Sequence, residues 1–136
     1  MIDLGAHLGT DVVVLLFIPF AFSPVCTSEL CTIRDAWSEW SGLDAHVLAL
    51  SVDGPFVTAR FRDSENLPFP VLSDFNKDVS RTYGVLEEDS WGLKGVAKRS
   101  VFVVGRDGRV TYAWVSEDMG VEPDYEAIRQ AVSGAA

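Results

Sequence analysis

Between Val12 and Ile18 every position is apolar, and the run continues around Pro19 to Phe22. A half-exposed strand alternates polar and apolar residues, so this pattern predicts a strand over Val12–Ile18 buried on both faces. After the Pro19–Pro24 loop the period changes. Leu30, Ile33, Trp37 and Trp40 recur at spacings of three and four, which predicts an amphipathic helix from Cys26 to about Ser41–Gly42. Thr27, Ser28 and Glu29 in its first turn suit a helix N-terminus. His46–Val52 is a second buried strand, followed by a helix over Pro55–Asn66 with proline near its first position. Prolines hold Leu67–Leu72 extended. A short helix over Asn76–Tyr83 stops at Gly84. Ser100–Val104 and Val110–Val115 are strands joined by a turn at Asp107-Gly108, and a closing helix covers Glu122 to about Val132. Repeats, low-complexity segments and linkers are absent from the sequence. The order of elements predicts a single α/β domain over residues 1–136, with a mixed sheet and helices on both faces.

Composition narrows the function. Apolar residues make up 48% of the 136, enough for a core without covalent staples. Eleven Lys and Arg against 20 Asp and Glu leave a net charge of −9 with no basic stripe, which excludes nucleic acid as an expected partner. The Val12–Phe22 run is too short for a membrane helix and contains a proline. The first residues lack the cationic start of a signal peptide, so the expectation is a cytoplasmic protein with no membrane association. In a reducing compartment the two cysteines are catalytic, sensing or simply buried rather than a permanent staple.

Both cysteines lie in PFAFSPVCTSELC, residues 19–31, separated by four residues and not by the two of a dithiol redox motif. A thiol acts as a nucleophile in its thiolate form, and free cysteine ionises near pH ~8.5. Cys26 stands where a buried strand hands over to a helix, and the unpaired N–H groups and dipole there favour a negative sulfur. The hydroxyl of Ser23 reaches the same space, while Pro19 and Pro24 stiffen the loop. The competing reading is that Cys26 is a small buried hydrophobe.

The stretch resembles the active site of peroxiredoxins, Pro-x-x-x-Thr/Ser-x-x-Cys, matched by Pro19, Ser23 and Cys26 and continued by Thr27 and Glu29. Lys98–Val110 is similar to the family's catalytic arginine region. Ser51 and Asp53, and the stretch from Phe69 to Asp74, extend the likeness over essentially the whole chain. The resemblance implies a thioredoxin-like fold and a peroxidatic Cys26 that attacks a hydroperoxide and becomes a sulfenic acid. It implies that Arg99 faces the thiolate and stabilises the leaving oxygen, with Glu29 holding that arginine from one helical turn after Cys26. Ser23 then hydrogen-bonds the peroxide and Pro19 shields the sulfur. No cofactor and no metal is expected; His7 and His46 lie far from the cysteines, and two thiols alone rarely close a tetrahedral site.

Cys31 follows Cys26 by five positions. In an intact helix their Cα atoms stand roughly 8 to 9 Å apart, beyond the ~7 Å that a disulfide bridges. Such a bond requires the first turns to unwind. The sequence is also similar to the Q subfamily (bacterioferritin comigratory protein), in which a cysteine at this interval resolves the sulfenic acid and thioredoxin recycles the enzyme. The Phe20–Cys26 lead-in looks more like the E subfamily, one-cysteine enzymes served by an external thiol or a glutaredoxin-like partner, with Cys31 then a packing residue. A redox sensor or holdase that reacts once is a further alternative. Peroxiredoxins usually open with a strand pair that is shortened or missing here, through truncation or loss, and loss would leave a sheet edge bare. A monomer or a homodimer is expected; Trp37 and Trp40 are core or interface, and Trp91 lies in a loop ahead of Arg99.

Overall fold

The structure, a computed structural model, describes residues 9–88, 92–118 and 120–135. In chain order the elements are β1 (Val12–Phe17), α1 (Pro24–Asp35), α2 (Trp37–Ser41), β2 (Ala45–Ser51), α3 (Pro55–Ser64), β3 (Val71–Ser73), α4 (Asp78–Thr82), β4 (Leu86–Glu87), β5 (Val96–Ala97), β6 (Ser100–Val104), β7 (Val110–Val115) and α5 (Tyr125–Ala135). Five strands form one mixed sheet in the order β3-β2-β1-β6-β7. β1 runs parallel to β2 and antiparallel to β6. As the unbroken apolar run predicts, the strand at the centre is buried at every position. Its residues alternate between two cores. Val12, Val14 and Leu16 pack with Leu30 and Ile33 of α1, Trp40 of α2 and Ile128 and Val132 of α5. Val13, Leu15 and Phe17 pack with Val85, Phe102, Val79 and Tyr83 on the other face. Helices thus cover both faces, and each buried leucine of β1 contributes about 1.5–3 kcal/mol of transfer free energy.

Several boundaries differ from the sequence expectation for local reasons. α1 begins at Pro24, two residues before Cys26, because proline's missing N–H and fixed φ fit the first helical position. Its chain breaks at Ala36 (φ −107°), and α2 starts at Trp37. The apolar spacing continues across this break and so conceals it. α5 starts three residues later than predicted, where the Asp124 carboxylate accepts the Ala127 N–H at 3.1 Å. The β4–β5 ribbon pairs Leu86 with Ala97 and Glu87 with Val96. Two-residue strands carry no readable period, and the sequence pattern leaves them out. The turn between β6 and β7 is as expected, with Gly108 at φ +82°.

Candidate active site

Sheet pairing builds the site. Phe17 at the end of β1 stands opposite Ser100 at the start of antiparallel β6. The residue before Ser100 is Arg99, so its side chain originates at the end of β1 from which the loop to α1 departs. Cys26 is the third residue of α1, in the turn whose N–H groups lack intrahelical acceptors and whose dipole is positive. Arg99 donates from Nη2 to Cys26 Sγ at 3.2 Å and from Nη1 to Glu29 Oε1 at 2.8 Å. All three side chains are buried: Cys26 and Glu29 are 0% exposed and Arg99 2%. One guanidinium therefore bridges a sulfur and a carboxyl one helical turn apart, out of contact with water. A cation held against a sulfur stabilises negative charge on it, the condition for a nucleophilic thiolate.

Glu29 is subject to opposing influences. Burial raises its pKa to about 7 from 4.5, against the lowering effect of Arg99's hydrogen bond and charge, while the nearby Glu122 adds to the rise. Its Oε2 is buried without a hydrogen-bond partner, which favours the burial effect. Glu122 sits at the mouth of this group, accepting from Ser28 Oγ at 3.2 Å and from the Tyr125 hydroxyl at 2.6 Å. Burial, then that hydrogen bond, pushes the Tyr125 phenol well above its ordinary range. These contacts tie the start of α5 to the first turns of α1.

The loop over Pro19–Ser23 leads from β1 into the helix turn that carries the sulfur. Pro19 is buried, Ser23 is half-buried, and the Ser23 hydroxyl donates to the Phe20 carbonyl at 3.0 Å. That bond turns the loop back on itself at the helix start. The six residues singled out in the sequence thus divide. Cys26, Arg99 and Glu29 meet in one cluster, Pro19 and Ser23 form the adjoining loop, and Cys31 faces elsewhere. The Cys31 thiol donates to Glu65 Oε2 at 3.5 Å, at the end of α3. Its pKa is raised by burial and then by that hydrogen bond, with Arg34 opposing. Both cysteines are free thiols. His46 pairs with Asp11 at 3.2 Å, away from the cluster. Trp40 is core, and Trp37 packs its ring on Phe69 at 5.6 Å. His7 and Trp91 lie outside the described residues. Among the described residues no group of three His, Cys, Asp or Glu could hold a metal ion, and no helix is long and apolar enough to cross a membrane.

Sequence reasoning assigned no role to Glu122, Tyr125 or Asp53, all of which contact the cluster or its loop. For Asp53 a signal was present: Ser-x-Asp at the end of a buried strand favours a side-chain-capped turn. Glu122 and Tyr125 come close to α1 only through tertiary packing.

Comparison with known proteins is consistent across sequence and structure. The AhpC/TSA family model matches residues 2–113. A Synechocystis protein that carries a peroxiredoxin name is 36% identical over 110 residues, covering 76% of this chain and 53% of that protein. Alkyl hydroperoxide reductase E of Mycobacterium tuberculosis is 36% identical over 115 residues, covering 83% of this chain and 72% of that one. The chain thus spans about half the length of the first relative and less than three quarters of the second. The crystal structure of peroxidoxin BcpB from M. tuberculosis superposes with a TM-score of 0.83 at 28% identity, over 98% of this chain and 85% of that one. The shared architecture is thioredoxin-like, a mixed sheet with flanking helices.

Proposed function

Because the chain belongs to the AhpC/TSA family, we propose that it is a thiol-dependent peroxidase acting on hydrogen peroxide and small organic hydroperoxides. The observation that carries this reading is the buried contact of Arg99 with Cys26 Sγ at 3.2 Å, braced by Glu29. The Cys26 thiolate attacks the distal oxygen of R–O–O–H, forming an S–O bond as the O–O bond breaks. The product is a Cys26 sulfenic acid and an alkoxide or hydroxide, which takes a proton and leaves as alcohol or water. Arg99 stabilises the thiolate beforehand and the departing oxygen's charge during the step. Ser23 and Pro19 shape the peroxide's entry. The name of the mycobacterial relative, alkyl hydroperoxide reductase E, supports organic hydroperoxides as substrates. The Cys31 thiol then condenses with the sulfenic acid, releasing water and forming a disulfide that thioredoxin reduces. All of this lies within one domain, as a monomer or homodimer, in a reducing compartment that returns both thiols.

One observation favours a second reading, in which an external thiol reduces the sulfenic acid directly. The Cys31 thiol is hydrogen-bonded to Glu65 at the end of α3 and not to a member of the Cys26 cluster. Near-stoichiometric peroxide added to reduced wild type, Cys26→Ser and Cys31→Ser, followed by mass spectrometry and stopped-flow tryptophan fluorescence, separates the two. The two-cysteine route requires an inert Cys26→Ser, wild type lighter by two hydrogens, and Cys31→Ser halted at sulfenic acid. Wild type halting at sulfenic acid selects the external thiol. A reaction independent of Cys26 overturns the peroxidase assignment.

A further inference from the structure

The loop leading to Cys26 is backbone-strained, and besides the packing of the Phe22 ring on Phe61 at 5.0 Å it has a hydrogen-bonded backbone anchor outside itself that the peroxidase mechanism leaves unused. β1 makes its last rung to β2 through the Ile18 N–H to the Leu50 carbonyl at 2.9 Å, and α1's first bond is from Thr27 N–H to the Ser23 carbonyl at 2.9 Å. Between these points Phe22 has φ +68°, a left-handed conformation that is unfavourable for a side-chain-bearing residue and persists only where surroundings impose it. Immediately before it, the Ala21 N–H donates to Asp53 Oδ2 at 2.7 Å. Asp53 is itself fixed. Ser51 Oγ donates to the same carboxylate oxygen at 2.8 Å and accepts the Asp53 N–H at 3.3 Å, while Ser73 Oγ, at the end of β3, donates to the Asp53 carbonyl at 2.6 Å.

Resting on the peroxidase reading, we propose that Asp53 is a positioning residue that sets the peroxide-binding loop Pro19–Ser23 and leaves the reactivity of the sulfur itself to Arg99. Two separate supports serve two separate halves of the reaction. Arg99 and Glu29 act on Cys26 from β6 and α1. Asp53 acts on the backbone carrying Pro19 and Ser23, from the ends of β2 and β3, through a charge-assisted hydrogen bond of the stronger kind. Loss of that bond lets Phe22 relax toward ordinary φ, which moves the groups that orient the peroxide. A displacement near 1 Å at a reacting centre costs on the order of a hundredfold in rate. The thiolate keeps its guanidinium.

The test compares two reactions of the same sulfur. Second-order rate constants for hydrogen peroxide and for iodoacetamide are measured on reduced wild type, Asp53→Ala, Asp53→Asn and Ser73→Ala, with urea unfolding midpoints alongside. Alkylation needs a thiolate but no oriented peroxide. The expected result for Asp53→Ala is a loss of ~10- to 100-fold toward peroxide, with alkylation unchanged or faster. Asp53→Asn, which keeps an acceptor oxygen, restores most of the peroxide rate. Ser73→Ala, which loosens the Asp53 backbone and spares its carboxylate, moves the ratio in the same direction by less and serves where Asp53→Ala does not fold. Peroxide and alkylation rates falling in parallel, no change in the peroxide rate, or no restoration by asparagine overturns the proposal. A wild type no faster with peroxide than free cysteine overturns the peroxidase reading, and this proposal with it, before any variant is compared.

Discussion

Glu29 is where one residue's chemistry and its stability cost are set by the same burial. The carboxyl is shifted upward, to about 7, so the folded state holds its proton more tightly than the unfolded chain does. The resulting stabilisation is complete below the unfolded value of 4.5 and disappears as pH rises through about 7. At ~1.36 kcal/mol per unit, a charged Glu29 at high pH forgoes about 3 kcal/mol. Glutamine has no proton to lose. The difference in unfolding free energy between Glu29→Gln and wild type should therefore move in the variant's favour by roughly 2–3 kcal/mol between pH 5 and pH 8, read from urea unfolding at the two values. Movement in the opposite direction means that pairing with Arg99 outweighs burial. Glu29 was legible from its place one turn after Cys26, and Arg99 from its motif. Glu122 was not, because nothing in local spacing brings residue 122 to residue 28.

At the scale of elements, α1 bears both cysteines and is pinned at two places by different chemistry. Its first turn is held by Arg99, and its third is held to the end of α3, where Arg34 donates to the Glu65 carbonyl at 2.7 Å and Cys31 to the Glu65 carboxylate at 3.5 Å. A disulfide with Cys26 requires Cys31 to leave Glu65 and to ionise, and the acidic neighbour opposes ionisation. Glu65→Gln should raise the rate at which the Cys26 sulfenic acid becomes a disulfide by about threefold or more, measured by quenching with an alkylating agent and weighing the products. An unchanged rate assigns the slow step to unwinding of the first turn. The helix itself was readable from its apolar spacing. Its true start was not, because Ser23 and Pro24 belong to the loop motif as much as to the helix.

Across the whole molecule the two cores share one strand. Leu16 faces α1, α2 and α5, and Leu15 faces α4 and the β4–β5 ribbon. Leu16→Ala should lower the unfolding free energy by roughly 2–5 kcal/mol, whereas Phe56→Ala, at a side chain 90% exposed, should stay within about 0.5 kcal/mol; chemical denaturation compares them directly. This division was visible in the sequence, since only a strand covered on both sides reads Val12–Ile18 without a polar break. The antiparallel placement of β6 beside β1 was not visible. It depends on which strand edge remains free after β1 and β2 have paired, and it decides where Arg99 ends up.

That placement makes the triad a proofreader of folding. Arg99 is separated from Cys26 by 73 positions and from Glu29 by 70, so the three meet only after β6 has docked beside β1. A slip of one residue between those strands would turn Arg99's side chain to the opposite face of the sheet. It would also leave a carboxyl sealed in an apolar interior with no cation beside it, a costly arrangement. A chain that has collapsed with its central strands mispaired therefore lacks the contact between Arg99 and Cys26 Sγ.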